Sequence, residues 1–599
     1  MMVADQHRFT LTGIASSPGI ISGRAVVLTE KPVEVNPEKI KPENVEKEVA
    51  NFTYAIARLK KDLEKQASNI GERLGAEYAR LFEAQAMIVD DQVINGKVIE
   101  LIRKECQTAA YIYYNQVQQV IDQLSKSNDA YLRERVLDIS SVRNRLIEIL
   151  QGAKKAFVKD IEGPIVVIAR YLNPGDLLGF SLKRKVGFAL GLGGVTSHTS
   201  LLAKSLNLPT VVGFGLDVDR VKSGDRVILD AYSGRLLVNP DVKTVNFYRD
   251  RQSLSAELTR KFQQECHKPA VTKDRHRIRI LNNIELPSEA SRVIYSGADG
   301  IGLFRTEYLF LRDTAFPNCE KQFRIYRQIL EKMGNKPVVI RTFDLGGDKF
   351  VGSTGKAVDP NPFLGWRAIR FCLDRPDIFK DQLKALLRAS FYGNLEIMLP
   401  MISNFEELSA TKQLIKECRE ELAADKIKTK PDIPLGIMIE IPSAALIANH
   451  LAKEADFFSL GTNDLVQYTL AVDRTNEMLG HLYQTYHPAV LQLIEKTINS
   501  GHRYKRKVAI CGEMGADPYG IILLVGLGID ELSVNFQSTG LVKSIVRQID
   551  FRRAKLIAKA CCKKSTAKEV EDLLDAKIEE YWPKLVPVIK FIKGINHAG

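Results

Sequence analysis

Between Pro37 and about Gly152 the apolar positions step by three and four. Val45, Val49, Phe52, Ile56, Leu59 and Leu63 fall on one face of a helix, and prolines and glycines become sparse. The same period returns over about Tyr78 to Asp90, Gln92 to Lys104, Thr108 to Leu124 and Asp129 to Leu150, which predicts a helical bundle. On either side the pattern shortens. Arg8 to Leu28 reads as short strands with turns, and further apolar runs occur at Pro164 to Ala169, Val186 to Leu190, Thr210 to Gly213 and Arg226 to Asp230. The simplest account is a small α/β domain made of residues 1–36 and 151–241, with the bundle, residues 37–150, inserted into it. Insertion into a surface loop costs little closure entropy. Residues 242–264 are polar and helical in pattern, and are expected to form a linker helix.

From Lys273 onward short β-rich runs alternate with longer helical ones. The candidate strands are Arg277 to Ile284, Gly300 to Glu307, Val338 to Asp344, Leu395 to Met401, Leu435 to Ile441, Phe457 to Asp464, Val508 to Glu513 and Glu531 to Asn535. Such an alternation predicts a (β/α)8 barrel over residues 265–599, so the fold class is multidomain α/β. Chemistry in barrels of this kind sits at the C-terminal strand ends. Arg305, Arg341, Glu440, Asn463, Asp464, and Cys511 with Glu513 stand there, with Arg367 and Arg474 close in sequence. Guanidinium forks match phosphate and carboxylate oxyanions. Two carboxylates from different strands are a typical Mg²⁺ set, the ion keeping water and substrate oxygens as its other ligands. Each arginine taken singly reads equally well as the partner of a neighbouring acid.

Composition narrows the field. The chain has 599 residues, 45% hydrophobic, with a formal charge of +13. The basic residues are spread along the whole length without a block or a zinc-finger or aromatic RNA-binding signature, which favours solvated surface over nucleic-acid binding. The apolar runs are too short to cross a bilayer, and Met1 to Arg8 holds no apolar signal core, so the expected location is cytoplasmic. The 8 cysteines contain no C-x-x-C pair, which argues against a disulfide framework or a zinc module.

One further segment carries chemistry. In Gly191-Leu192-Gly193-Gly194-Val195-Thr196-Ser197-His198-Thr199-Ser200, a histidine follows a glycine-rich turn at the start of an apolar-periodic stretch. Backbone N–H groups and the positive end of a helix dipole favour an anion there and keep imidazole neutral, hence nucleophilic. A capping or packing histidine is the plainer reading of this segment alone.

Taken together, Gly193 to Ser200, Gly302 to Glu307, Asn361 to Arg370, Gly461 to Thr469 and Cys511 to Met514 resemble the Enzyme I family of bacterial phosphotransferase systems. The likeness runs from about residue 10 to about residue 580, and includes Phe82 to Met87 and Tyr131 to Arg135 of the bundle. The resemblance implies an enzyme that moves the phosphoryl group of phosphoenolpyruvate to Nε2 of His198 and then to a histidine of the carrier protein HPr, releasing pyruvate. It implies that Arg305, Arg341, Arg474 and Asn463 hold phosphate and carboxylate, and that Arg367 stabilises the enolate oxygen. Glu440 and Asp464 would bind Mg²⁺, and Cys511 would protonate the enolate carbon. It further implies an HPr-binding bundle and a homodimer formed through the barrel. The chain departs from the family at Val195, Lys204 and Asn173, all expected near the phosphohistidine. A pyruvate phosphate dikinase or phosphoenolpyruvate synthase is the nearest rival, but its ATP-binding domain finds no room ahead of His198. A nitrogen-regulatory paralogue would need an added N-terminal sensory domain. A barrel that only senses phosphoenolpyruvate is the non-enzymatic alternative.

Overall fold

The computed structural model describes residues 8–28, 35–74, 76–125, 130–152, 163–172, 177, 180, 185–193, 198–206, 208–309, 316–344, 346, 364–473 and 479–596. Two compact units divide the chain, Met1–Ala256 with Phe591–Gly599, and Glu257–Lys590. The division falls inside the helix Val242–Glu265, which corresponds to the expected linker.

In the first unit an eight-stranded mixed sheet has the order β1-β8-β7-β3-β4-β5-β6-β2. Its strands are β1 (Phe9–Thr12), β2 (Ile14–Ser17), β3 (Ile20–Leu28), β4 (Ile165–Ala169), β5 (Val186–Leu190), β6 (Thr210–Val212), β7 (Arg226–Asp230) and β8 (Arg235–Val238). Strands β4 and β5 are buried at every position because both faces of the sheet are covered. Alternate side chains part accordingly. Val166 and Ile168 join one core, while Ile165, Val167 and Ala169 join the other.

Strands β3 and β4 are parallel neighbours in the sheet, and the chain between them carries the helical bundle. Its helices are α1 (Val45–Leu74), α2 (Ala76–Val89), α3 (Gln92–Glu105), α4 (Ala109–Ser125) and α5 (Ala130–Leu150). A parallel pair requires a crossover, and here the crossover has grown into a bundle with its own core. Phe52, Ala55, Leu59, Leu63 and Ala67 of α1 form its spine. Asp91 caps α3 by accepting from the N–H groups of Val93 and Ile94.

The second unit is a closed parallel barrel of β9 (Arg279–Ile284), β10 (Ile301–Phe304), β11 (Pro337–Arg341), β12 (Asn394–Leu399), β13 (Leu435–Ile439), β14 (Phe457–Leu460), β15 (Lys507–Ile510) and β16 (Glu531–Val534). Its interior is layered, as strand parity requires. At the N-terminal end Glu531 takes Arg279 at 2.7 Å and Lys507 at 3.5 Å, while Lys507 also reaches Glu396 at 2.7 Å. Above this ionic floor lie Leu303, Val339, Met398, Met438 and Phe457, together with Cys511. Outside the strands one continuous apolar core joins barrel and helices from Ala270 to Ile589. Among the described residues, no helix is long and apolar enough to cross a membrane.

Candidate active site

Above the apolar layer the barrel opens into a cavity of about 320 Å³. Strand parity places four of its side chains. Arg305, Arg341, Glu440 and Cys511 stand two residues beyond the inward-facing Leu303, Val339, Met438 and Ala509, so each continues the inner face of its strand; Arg341 ends β11, paired with Met398, and the other three directly follow the last residues of their strands. Strand β14 ends at Leu460, not at the expected Asp464, and the helix Thr462–Leu470 starts just after it. Asn463 and Asp464 therefore lie in its first turn and face the same cavity. Arg367 completes the lining from the segment after β11.

Two glycines are required by close approach. A Cβ on Gly461 would stand 2.8 Å from Oε2 of Glu440, and one on Gly512 would stand 1.9 Å from Oγ1 of Thr462. Any side chain at either position would push the carboxylate or the helix start out of place.

The three arginines described in the cavity lining are each held by acids. Arg305 donates to Glu285. Arg341 donates from its NH2 to Glu307 at 2.6 Å, and its NH1 lies 3.0 Å from Asp344. Arg367 donates from Nε and NH2 to Oδ1 of Asp344, at 3.1 and 2.6 Å. Burial works against the charge of Arg341, but Glu307, Asp344 and Glu440 outweigh it and raise its pKa. Burial likewise opposes ionisation of Asp344, and Arg341 and Arg367 overcome it, so this carboxyl titrates below its ordinary range.

Glu440 behaves in the opposite way. Its side chain is buried, Oε1 accepts from the N–H of Met401 at 2.6 Å, and burial with the charges of Asp344 and Asp464 pushes its pKa up to about 8. The charge of Arg341 pulls the other way without offsetting them. The described residues hold no cluster of three or more metal-ligating side chains. A divalent ion that keeps most of its ligands as water and substrate oxygens suits this pair of carboxylates.

Cys511 is 7% exposed, and burial raises its thiol pKa against the weaker pull of Ser459 and Arg341, so it stays protonated at neutral pH. The main chain around it is pinned. Asn283 donates to the Cys511 carbonyl at 3.0 Å, and Oδ1 of Asn463 accepts from the N–H of Glu513 at 3.0 Å.

In the first unit, His198 is the first residue of α6 (His198–Ser205). The helix is anchored by Thr199, whose hydroxyl donates to the Leu172 carbonyl at 2.8 Å, and by buried Ser200, Leu202 and Ala203. Gly191 is bonded to both sides, its N–H to Ala169 and its carbonyl from Gly215. Lys204 is exposed in the last turn of α6. The side chain of His198, and Asn173, Val195 and Arg474 altogether, lie outside the described residues.

Asp344, Glu307 and Glu285 escaped the sequence reading as site residues. Glu307 follows Arg305 by two, the same parity that placed the arginine. Asp344 had been read only as the end of a strand, although it follows Arg341 by three and folds back onto it.

A parallel barrel whose mouth gathers arginines, carboxylates and a thiol, in a chain whose other unit carries a glycine-preceded histidine, agrees with the phosphoenolpyruvate-utilising class of enzymes, which the family matches show. Residues 12–135 match the N-terminal domain of PEP-utilising enzymes, 161–234 their mobile domain and 259–551 their PEP-binding domain. The chain is 37% identical to the phosphoenolpyruvate-protein phosphotransferase of Haemophilus influenzae over 94% of its own length and 98% of that protein. It is 38% identical to the one of Bacillus sp. (strain S) over 94% of its length and 97% of that protein, and 36% identical to the one of Staphylococcus carnosus over 95% and 99%. The chain belongs to the family of phosphoenolpyruvate-protein phosphotransferases.

Proposed function

We propose that the chain takes the phosphoryl group of phosphoenolpyruvate onto His198 and passes it to a histidine of HPr, the first step of a bacterial phosphotransferase system. The observation that carries this reading is the convergence of Arg305, Arg341, Arg367, Glu440, Asn463, Asp464 and Cys511 on one cavity. Phosphoryl transfer asks a protein for positioning and charge neutralisation more than for covalent chemistry. Arg305, Arg341 and Asn463, with Arg474, hold the phosphate and carboxylate, the substrate displacing acids that hold the first two arginines. Glu440 and Asp464 would hold Mg²⁺, which neutralises phosphate and carboxylate oxygens when bound. In the transfer the enol oxygen–phosphorus bond breaks and the phosphorus–Nε2 bond to His198 forms. The electron pair stays on the enolate, whose oxygen faces Arg367. Cys511 then gives its proton to C3, yielding pyruvate, and is reprotonated from solvent.

The bundle is the proposed HPr-docking element, residues 1–36 and 151–241 the histidine-bearing domain, 242–264 the linker and 265–599 the dimer-forming barrel. The cytoplasm is the proposed location. Incubation with phosphoenolpyruvate labelled in its phosphoryl group, with Mg²⁺, tests the reading. The expected result is label retained on the protein with one pyruvate released per label. Binding without retained label would replace the enzyme by a sensor.

A further inference from the structure

The three acids that hold the arginines at the barrel mouth are not equivalent. The side chain of Glu285 is 54% exposed and engages Arg305 alone, and that of Glu307 is 13% exposed and engages Arg341 alone. An anion entering the cavity can take the place of either. Asp344 is 4% exposed and divides its two oxygens between two partners. Oδ1 accepts both donors of Arg367, and Oδ2 faces Arg341 at 3.0 Å. The backbone reinforces the arrangement, since Gly346, two residues on, pairs with Arg367 in an antiparallel bridge.

Taking the proposed phosphoryl transfer as its basis, we propose that Asp344 is a positioning residue that yokes Arg341 and Arg367 into one fixed pair. Arg341 serves the phosphate end of the substrate and Arg367 the enolate end. When the enol oxygen–phosphorus bond breaks, its electron pair remains on the oxygen, so negative charge moves from the one guanidinium toward the other. Cations stabilise such a shift only if they already stand where charge will arrive. Two arginines on long stems would otherwise have to rearrange during the step. One shared carboxylate, 4% exposed, fixes their spacing before substrate enters, and it survives substrate binding because both its oxygens already face guanidinium groups.

Asp344→Asn in the full-length protein tests this. The amide keeps the size but removes the charge and turns an N–H donor toward a guanidinium. Pyruvate release from phosphoenolpyruvate should fall roughly 10²-fold in kcat, the scale of a misplacement of about 1 Å, with KM changed less than about threefold. Combined with Arg367→Ala, it should slow the reaction little beyond Arg367→Ala alone, because its effect runs through that arginine. Unchanged kcat, a loss confined to KM, or losses that multiply would each overturn the proposal. If Asp344→Asn lacks a cooperative thermal transition, Asp344→Glu carries the same expectation, a kcat loss exceeding any KM change. Failure of the wild-type protein to release pyruvate would sink the proposed function itself; an active wild type with an indifferent variant sinks only the yoke.

Discussion

The barrel mouth and the histidine-bearing helix are built by opposite means. At the mouth, Arg305, Arg341 and Arg367 are each held by an acid, and Asp344 serves two of them. Among its described residues, helix α6 is anchored by the Thr199 hydroxyl and by buried Ser200, Leu202 and Ala203, which are uncharged. The difference suits the chemistry proposed for each end. A substrate with a phosphate and a carboxylate needs a fixed field of charge, whereas a nucleophilic imidazole needs to stay neutral. The cores differ too. One apolar cluster unites the barrel with its helices, while the sheet and the bundle keep separate ones. Damage in the first unit should therefore stay local.

Removing charge from the mouth should have the largest effect. Glu440→Ala or Asp464→Ala should lower turnover about 10³-fold or more, several kcal/mol of lost charge stabilisation, while the thermal transition persists. A Mg²⁺ titration of pyruvate release checks this, and normal Mg²⁺ dependence in Glu440→Ala would remove the role. Next comes the thiol. Cys511→Ser keeps the size but raises the donor pKa by several units, and should slow pyruvate formation roughly 10² to 10⁴-fold with phosphoenolpyruvate binding retained. Equal rates would point to Glu513 or a water.

Stability measurements sharpen the contrast between cores. Phe52 is fully buried in the bundle, so Phe52→Ala should cost about 3–5 kcal/mol there. Calorimetry should show the bundle melting earlier with the barrel transition unmoved; a single transition shifting as a whole would mean that the cores are coupled. The smallest effect is expected at Asp274, whose carboxylate accepts from the N–H groups of Phe551 and Arg552 at the start of the helix Phe551–Cys561. Burial works to raise its pKa, but Thr272 and those two N–H groups bring it down to about 2. Its stabilisation is thus complete above the ordinary aspartate pKa of about 3.9 and is lost as pH falls through about 2. Asp274→Asn should lower the stability of the barrel unit by about 1 kcal/mol or less near neutral pH, and the two proteins should converge below pH 2. Urea unfolding at several pH values reads this out.

Much of this architecture was legible because period reports packing. The spine of α1 and the alternation of eight strands with helices are both patterns of burial, which sequence records directly. Strand ends were less legible. Gly461-Thr462-Asn463-Asp464 separates the apolar run of β14 from Leu465 and Val466 with no turn signal that fixes where the strand stops, so Asn463 and Asp464 looked like the end of a strand although the helix Thr462–Leu470 already holds them. Strand β8 was missed, since its four residues carry too little pattern; the turn at Gly234, with φ +70°, was the available signal. Individual site residues could be named from strand ends and family motifs, but their pairing could not. That Asp344 serves two arginines depends on where the backbone turns after β11, which no periodicity encodes.

In the proposed reaction, charge organised at the barrel mouth delivers a phosphoryl group to one histidine of the other unit. It is tested most directly by mapping the label from phosphoenolpyruvate in the wild-type protein and in His198→Ala, while following solvent exchange of the C3 protons of pyruvate in both. Label is expected on His198 alone in the wild type and nowhere in the variant, with C3 exchange preserved because Cys511 and the cavity are untouched. Label on another residue of His198→Ala, or loss of C3 exchange together with the label, would contradict it.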